Sequence, residues 1–575
     1  LTMVSTHNND DATSSPRAPT SKAFTRGVNL GGWLVQERWL SPYQFSLTDC
    51  HIRGDLCWYE GQTGAPINAP ICNITECKPL RWNEDYPDLD FPKDESTLVK
   101  AFDKPEYAER WFNAHFDNYL KKEDLVKIKE SGMMAVRVPL PHWILGDIGQ
   151  WEDWAPSMNR WKYFKRMCEW CREIGLEVWP DIHTAPGSQN GFDNSGIAKA
   201  KPSCFGWDET ANHVQRSLDV VAEISHKIVK EGLGDVVQGF GLLNEPFYDC
   251  HLGLYERFAQ DGLTIVRANM GLHVQVFVSD MFKAERFNDG TWWLDPVEYE
   301  NTMLDSHYYH VFKPAFRAMS PRQHIGYTCL PEPQIDGIQS CCYEDGPYNN
   351  TIPSRGVQRI VTEWTAVYDR DPGPMLEVIL DGIAINGTAP YMDRQLSQPR
   401  KDMLHNFIQA QIVSYEVADI GFGKGWFFWT FKTEGGAYAE WDFLRAYEEG
   451  WFPPIVRDPE VPSQDVYGTC EEILFRTDDS MDAIAPYPPN PQTDDDAIIF
   501  DDDMVQTHGQ SLLMHVPHTD EIHIASRSTL PIMIPCILLV AALAVWRVVR
   551  ERQKKASYTE LSGSGKEANE ATPLN

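Results

Sequence analysis

The feature that most limits what this chain can fold into is a set of eight short apolar runs, spread between residues 24 and 454 and separated by longer stretches. The runs are FTRGVNLGGWL (24–34), MMAVRVPL (133–140), LEVWPDIHT (176–184), VVQGFGLLNEP (236–246), HVQVFVSD (273–280), TMLDSHYY (302–309), GVQRIVTEW (356–364) and GWFFWTF (425–431). Runs of this length, rich in Val, Ile, Phe and Trp, suit strands that are covered on both faces. Several of the intervals read as helices. Between the third and fourth runs, Val214, Leu218, Val221, Ile224 and Ile228 recur every three or four residues and make one apolar stripe. Eight strands alternating with helices imply an α/β chain and a (β/α)8 TIM barrel. At about 430 residues the barrel region exceeds the roughly 250 that are typical. The excess lies in insertions at 47–103, which is Pro-rich and carries Cys50, Cys57, Cys72 and Cys77, and at 314–355. Long loops on a barrel are where specificity is shaped.

In such a barrel the carboxyl ends of the strands converge on one face. Those ends hold Glu37 just past the first strand, Arg137 on the second and His183 on the third. Asn244 and Glu245 follow on the fourth, His307 and Tyr309 on the sixth, Glu363 on the seventh and Trp429 on the eighth. Glu245 and Glu363 are thereby expected to face each other across the mouth. Cleavage of a glycosidic bond needs such a pair: one carboxylic acid protonates the leaving oxygen, and one carboxylate attacks or activates water. Both tasks fall to carboxyl groups, so no metal or cofactor is implied. Plainer readings exist for the flanking residues. His183 and His307 would serve as satisfied core histidines, Arg137 as a buried ion-pair partner, and Trp429 as barrel packing.

The segments RGVNLGGWLVQE (26–37), VRVP (136–139), DIHTAPGSQNGFDNSG (181–196), LLNEP (242–246), TEW (362–364) and GWFFWTFKTE (425–434) resemble the fungal exo-β-1,3-glucanases of glycoside hydrolase family 5. The resemblance covers roughly residues 24–454, and six ordered segments are far more specific than a lone N-E-P. It implies that Glu245 is the acid/base and Glu363 the nucleophile. It implies that Arg137 lies beside the nucleophile and holds it ionised, since an adjacent cation lowers a carboxylate's pKa. His183, Asn244, His307 and Tyr309 would bind the sugar or orient the carboxylates. Glu37 would bind hydroxyls at the non-reducing end, and Trp429 would floor the sugar nearest the cleaved bond. Two departures stand out: Thr362 occupies the place before the nucleophile where the relatives usually carry Gly, and the Cys-rich insertion is large.

The net charge of −32 argues against nucleic acid and anionic polymers as partners, because binding them requires Lys and Arg to neutralise phosphates. A neutral polysaccharide is compatible, and the 20 Trp supply rings on which a pyranose can stack. Thirteen Cys, with sequons at Asn73, Asn349 and Asn386, point to an oxidising compartment, although pairing cannot be read from spacing. Cys168 and Cys171 fall in a helical pattern and read as buried thiols.

The expected organisation is a flexible tail (1–22), a glycoside hydrolase barrel (23–456), an acidic Pro- and Asp-rich linker (457–527), a transmembrane helix (528–549) and a cytoplasmic tail (550–575). No signal peptide is visible, and the chain opens on Leu1, as it would if numbering begins after processing or the start lies upstream. The run LPIMIPCILLVAALAVW (530–546) is uncharged, and extended through Val549 it is long enough to span a bilayer. Arg547, Arg550, Arg552, Lys554 and Lys555 follow it, so the positive-inside rule places the C-terminus in the cytosol and the barrel outside the plasma membrane, on the cell-wall side.

The leading expectation is therefore a monomeric, retaining exo-glucosidase acting on β-1,3-glucan. Rival enzymes are an endo-acting or transglycosylating β-glucanase, a β-1,6-glucanase or a glucosyl-lipid hydrolase. A rival of another class is a catalytically silent, membrane-tethered glucan-binding protein.

Overall fold

Every one of the eight apolar runs contains a strand. They are β1 (Thr25–Asn29), β2 (Ala135–Leu140), β3 (Glu177–Ile182), β4 (Gly239–Gly241), β5 (Gln275–Ser279), β6 (Thr302–Tyr308), β7 (Gln358–Trp364) and β8 (Gly425–Phe428). Neighbours pair in chain order, and β1 pairs with both β2 and β8 in parallel, so the sheet closes into a barrel. The computed structural model describes residues 24–80, 92–146, 159–204, 207, 212–283, 300–312, 314–329, 358–369, 396–416 and 423–481.

Inside the barrel, Ala135, Trp179, Phe277, Met303, Ile360 and Phe427 form their own buried cluster. These positions precede the polar strand ends along their strands, so the cluster is an apolar floor beneath the mouth. Large rings fit there because facing positions are small. A Cβ on Gly239 would lie 2.1 Å from the Trp179 indole, and one on Gly27 would lie 2.4 Å from the Phe427 ring.

Around the barrel, the Cys-rich insertion is closed by the disulfides Cys50–Cys77 and Cys57–Cys72. Its Trp58 stacks on Trp111, with ring centroids 4.7 Å apart. Helix α1 (Glu95–Lys100) follows, capped by Asp94, whose side chain accepts from the Thr97 backbone N–H. The buried Glu95 carboxylate accepts from Gln36 N (3.1 Å) and Trp143 Nε1 (3.3 Å) and pairs with Arg160. Asp94 Oδ2 accepts from Ala198 N at 2.7 Å. The insertion is thus fastened to the loop after β1 and to the loop after β3.

Helix α2 (Trp161–Ile174) buries Cys168 and Cys171 as free thiols, as its pattern implied, and ends at Gly175 in the left-handed conformation. Helix α3 (His213–Lys230) buries Leu218, Val221, Ile224 and Ile228, with Val214 partly covered, which is the stripe read from the sequence. Helices α4 (Pro321–Cys329) and α5 (Gln398–Glu416) follow β6 and β7. A third bridge, Cys204–Cys250, links the loops after β3 and β4.

The boundary expected at 456 lies too early. Arg26, fully buried, forms a two-pronged pair with Glu416 (2.7 and 3.0 Å) and donates to the carbonyls of Val456, Asp458 and Val461. Glu416 Oε2 also accepts from Ser463 N at 2.8 Å. Helix α6 (Cys470–Arg476) buries Ile473, and Cys470 is bonded to Cys329 at the end of α4. The start of the Pro- and Asp-rich stretch is therefore part of the packed domain, at least to Met481. Among the described residues no helix is long and apolar enough to cross a membrane. The apolar run at 530–549, the linker's Asp494–Asp496 and Asp501–Asp503, the cytoplasmic tail, the flexible 1–22 tail, most of the 314–355 insertion and the sequons at Asn349 and Asn386 lie outside the described residues.

Cutting the chain at 458 would remove the Cys329–Cys470 bridge, whose sequence separation is 141. A loop of that size is worth about 4–5 kcal/mol in chain entropy. A chain ending at 458 should melt clearly below one ending at 481. Coincident melting curves would restore the earlier boundary.

Candidate active site

Parallel register sets the polar layer above the floor. Asn29 on β1 lies beside Arg137 on β2, and Pro139 on β2 lies beside Asp181 on β3. On the far side His307 of β6 lies beside Glu363 of β7, where the register shifts between Ser306 and His307. A shift of this kind re-aims the side chains that follow it.

Arg137 is fully buried and is the hub of the layer. Its Nη1 donates to Glu363 Oε1 (2.7 Å) and to Asn29 Oδ1 (2.8 Å). Its Nη2 donates to Asn244 Oδ1 (2.7 Å) and stands 3.4 Å from Asp181 Oδ2. The other Glu363 oxygen accepts from the Tyr309 hydroxyl at 2.7 Å. Burial pushes the Glu363 carboxyl above its ordinary value, His307 and Arg137 pull it down, and Glu245 pushes it up again. Arg137 was expected to hold it low; that pull exists, but burial inside the barrel exceeds it. Both Glu363 oxygens nonetheless meet donors, and a guanidinium has only protons to give, so the geometry is that of a carboxylate.

Glu245 sits at the end of β4 with φ of +44°, a region a non-glycine residue occupies at a cost. The loop after β3 holds it there: Gln189 Nε2 donates to Asn244 O (2.9 Å), and Asn190 Nδ2 donates to Glu245 O (3.1 Å). The Glu245 Oε2 atom accepts from Asn194 Nδ2 at 2.8 Å, and Oε1 is 2.8 Å from His307 Nδ1. Burial raises this carboxyl, but the hydrogen bond and charge of His307, with help from Asn194 and His183, bring it below its ordinary value. Burial alone would lower the His307 imidazole; Glu363 and Asp305 outweigh it and raise the ring well above its ordinary range. The proton shared by the two therefore rests on His307. One side-chain atom each from Glu245, His307 and Glu363 lie within 4.8 Å of one another. That spacing would suit a cation, but the Arg137 guanidinium on Glu363 already places a positive charge there.

The remaining expected residues surround this pair. His183 Nδ1 is 2.9 Å from Asp181 Oδ2, and its ring stacks parallel to Trp429 with centroids 5.8 Å apart. Glu37 Oε2 accepts from Trp39 Nε1 at 3.1 Å. Burial, with the charges of Asp193 and Glu363, pushes its carboxyl well up. A pocket of about 300 Å³ including its mouth is lined by Glu37, Glu245, Glu363, Tyr309 and Trp429, with Trp39, Asn194, Phe312 and Trp441. Glu37 Oε1, His183 Nε2 and Asn244 Nδ2 are buried with no hydrogen-bond partner among the described residues. Polar atoms of that kind suit a hydroxyl-rich ligand.

All the residues expected from the strand ends are thus brought together. Asn29, Asn194, Asp305 and Trp441 were missed. Asn194 lies within the 181–196 segment, and Asp305 precedes His307 by two on the same face of β6, so a period-two reading would have found it. The backbone is irregular at Thr362, which is the extra residue of β7 between the pairs Ser306–Val361 and His307–Glu363, and its N–H and hydroxyl both donate to Asp305, at 3.1 and 2.7 Å.

No family model matches the chain. Curated relatives do. A glucan 1,3-beta-glucosidase of Candida oleophila is 28% identical over 454 residues, covering 76% of this chain and 91% of that protein. One from Blumeria graminis is 29% identical over 457 residues, covering 76% and 89%. A rutinosidase from Aspergillus niger is a solved structure to which the chain is similar, at 15% identity and a TM-score of 0.45 over 75% of this chain and 98% of that one. The resemblance carried by the six segments therefore holds along three quarters of the chain, which is a glycoside hydrolase similar to the glucan 1,3-β-glucosidases.

Proposed function

We propose that the chain hydrolyses β-glucan with retention, releasing glucose from the non-reducing ends of β-1,3-linked chains. The observation that carries the reading is the approach of Glu245 and Glu363, with carboxyl oxygens inside 4.8 Å. Retaining enzymes hold their carboxyls about 5–5.5 Å apart, whereas inverting ones leave roughly 6.5–9.5 Å for a water. In the first step Glu363 attacks the anomeric carbon while Glu245 gives a proton to the leaving oxygen. In the second, Glu245 takes a proton from water, which displaces Glu363 from the sugar. Arg137 and Tyr309 hold the Glu363 carboxylate in line through its two oxygens. Release from chain ends is supported by the small pocket, with Glu37 and Trp39 on its wall and the insertion fastened behind them.

Laminarin digestion followed from the first minutes should yield glucose alone; early longer oligosaccharides would instead show an endo-acting enzyme. A 2-fluoro-β-glucoside with a good leaving group should inactivate the enzyme and label Glu363, read by peptide mass spectrometry. A label on any other residue would remove Glu363 from the role of nucleophile.

The same reading places the enzyme at the plasma membrane, with the barrel outside, through the apolar run at 530–549 and the basic residues behind it. Carbonate washing should leave the full chain in the membrane fraction, and a chain ending at 527 should be released. Release of both would refute the anchor.

A further inference from the structure

We propose that Thr362 is a positioning residue that locks His307 in one tautomer and so confines the site's mobile proton to the contact between His307 Nδ1 and Glu245 Oε1. The inference rests on the reading of Glu245 as acid/base.

The direction of each hydrogen bond follows from the one before it. Asp305 on β6 is a carboxylate acceptor for two donors of Thr362: the backbone N–H on Oδ1 (3.1 Å) and the hydroxyl on Oδ2 (2.7 Å). A hydroxyl has a single proton, and this one is spent on Asp305. Thr362 Oγ1 can then only accept from His307 Nε2, 3.1 Å away. His307 Nε2 therefore carries a hydrogen, and its direct approach to Asp305 Oδ2 is longer, at 3.4 Å. The other ring nitrogen faces Glu245 Oε1 at 2.8 Å. That contact has two forms: imidazolium with carboxylate, or neutral imidazole with carboxylic acid. Passage between them moves one proton from Nδ1 to Oε1 and changes no other bond. Only the second form gives Glu245 a proton to donate.

Other charged groups set the balance around this contact. Glu363 Oε2 stands 3.4 Å from Nδ1, and Asp280, just past β5, also senses the imidazole charge. Arg137 acts on Glu363, and His183 on both glutamates. Thr362 backbone is held in turn, since Asn29 Nδ2 donates to its carbonyl at 2.8 Å. The hydroxyl is thus a spacer of one atom between a carboxylate and an imidazole. It takes the Nε2 hydrogen while keeping the full Asp305 charge off the ring.

Thr362→Val removes the spacer at nearly constant shape. Asp305 then loses a donor and bears directly on the ring, which favours the imidazolium. On substrates with poor leaving groups the plateau of kcat/KM should fall about three- to tenfold, while the alkaline limb moves up by about 0.5–1 pH unit. Aryl glucosides with good leaving groups should lose little, and Thr362→Ser should restore both plateau and limb. A merely structural injury would lower activity on both substrate classes without moving the limb upward, and that outcome overturns the proposal. So does a serine variant that behaves like valine.

The tautomer itself is read without any turnover. In the full chain labelled with 15N-histidine and assigned with His307→Gln, neutral His307 should carry its proton on Nε2 above the alkaline limb. A proton found on Nδ1 there refutes the lock whatever the substrate proves to be. Failure on every β-glucan, with the proton on Nε2, would refute only the proposed function.

Discussion

A guanidinium sealed inside a barrel must be met by acceptors on every side, because an uncompensated buried charge costs more than the whole fold is worth. Arg137 meets that condition at its two terminal nitrogens, through Glu363, Asn29 and Asn244 with Asp181 close by, while its Nε has no hydrogen-bond partner among the described residues. Its plane also lies over the Phe277 ring of the floor, 5.9 Å from the centroid. These partners come from β1, β3, β7 and the end of β4, so one side chain on β2 fixes how five strands present their ends. Such a pairing adds little net stability compared with an apolar core, but losing one partner is costly, roughly 3–5 kcal/mol. Its contribution is therefore a single permitted geometry for Glu363 rather than a large gain in energy.

The second carboxyl is held by different means. Glu245 sits on a strained backbone that the loop after β3 pins through its carbonyls, and its oxygens face Asn194 and His307 rather than a permanent cation. A fixed guanidinium beside one carboxyl and a titrating imidazole beside the other separates their behaviour. One stays an acceptor; the other exchanges a proton with its neighbour. Acid–base chemistry near neutral pH depends on such divided surroundings.

Around this centre, loops far apart in sequence are tied by buried polar contacts. Asp94 and Glu95 fasten the Cys-rich insertion to the loops that carry Glu37 and Asn194. Arg26 and Glu416 fasten the segment beyond 456 beneath the first strand, and the bridge from Cys329 to Cys470 closes it. By composition the insertion reads as a long loop on the barrel and the C-terminal segment as a linker. Each is bound by contacts whose partners lie at least 47 residues away in the chain.

The sequence by itself determined the strands, the barrel and the strand-end residues, because apolar runs and side-chain alternation are local properties that each segment carries within it. It also placed Glu245 and Glu363 opposite one another, since strand order and a closed parallel sheet leave little choice. Tertiary structure alone decided the rest. Proton positions depend on burial and on distances of a few ångströms between β4, β6 and β7, so the raised Glu363 and lowered Glu245 were not visible in any segment. The reach of the domain to Met481 hinged on Arg26 finding carbonyls more than 400 residues away. Thr362 stood out in the sequence only as a departure from its relatives, and became a link between Asp305 and His307 where the β6–β7 register shifts and leaves it as the extra residue of β7.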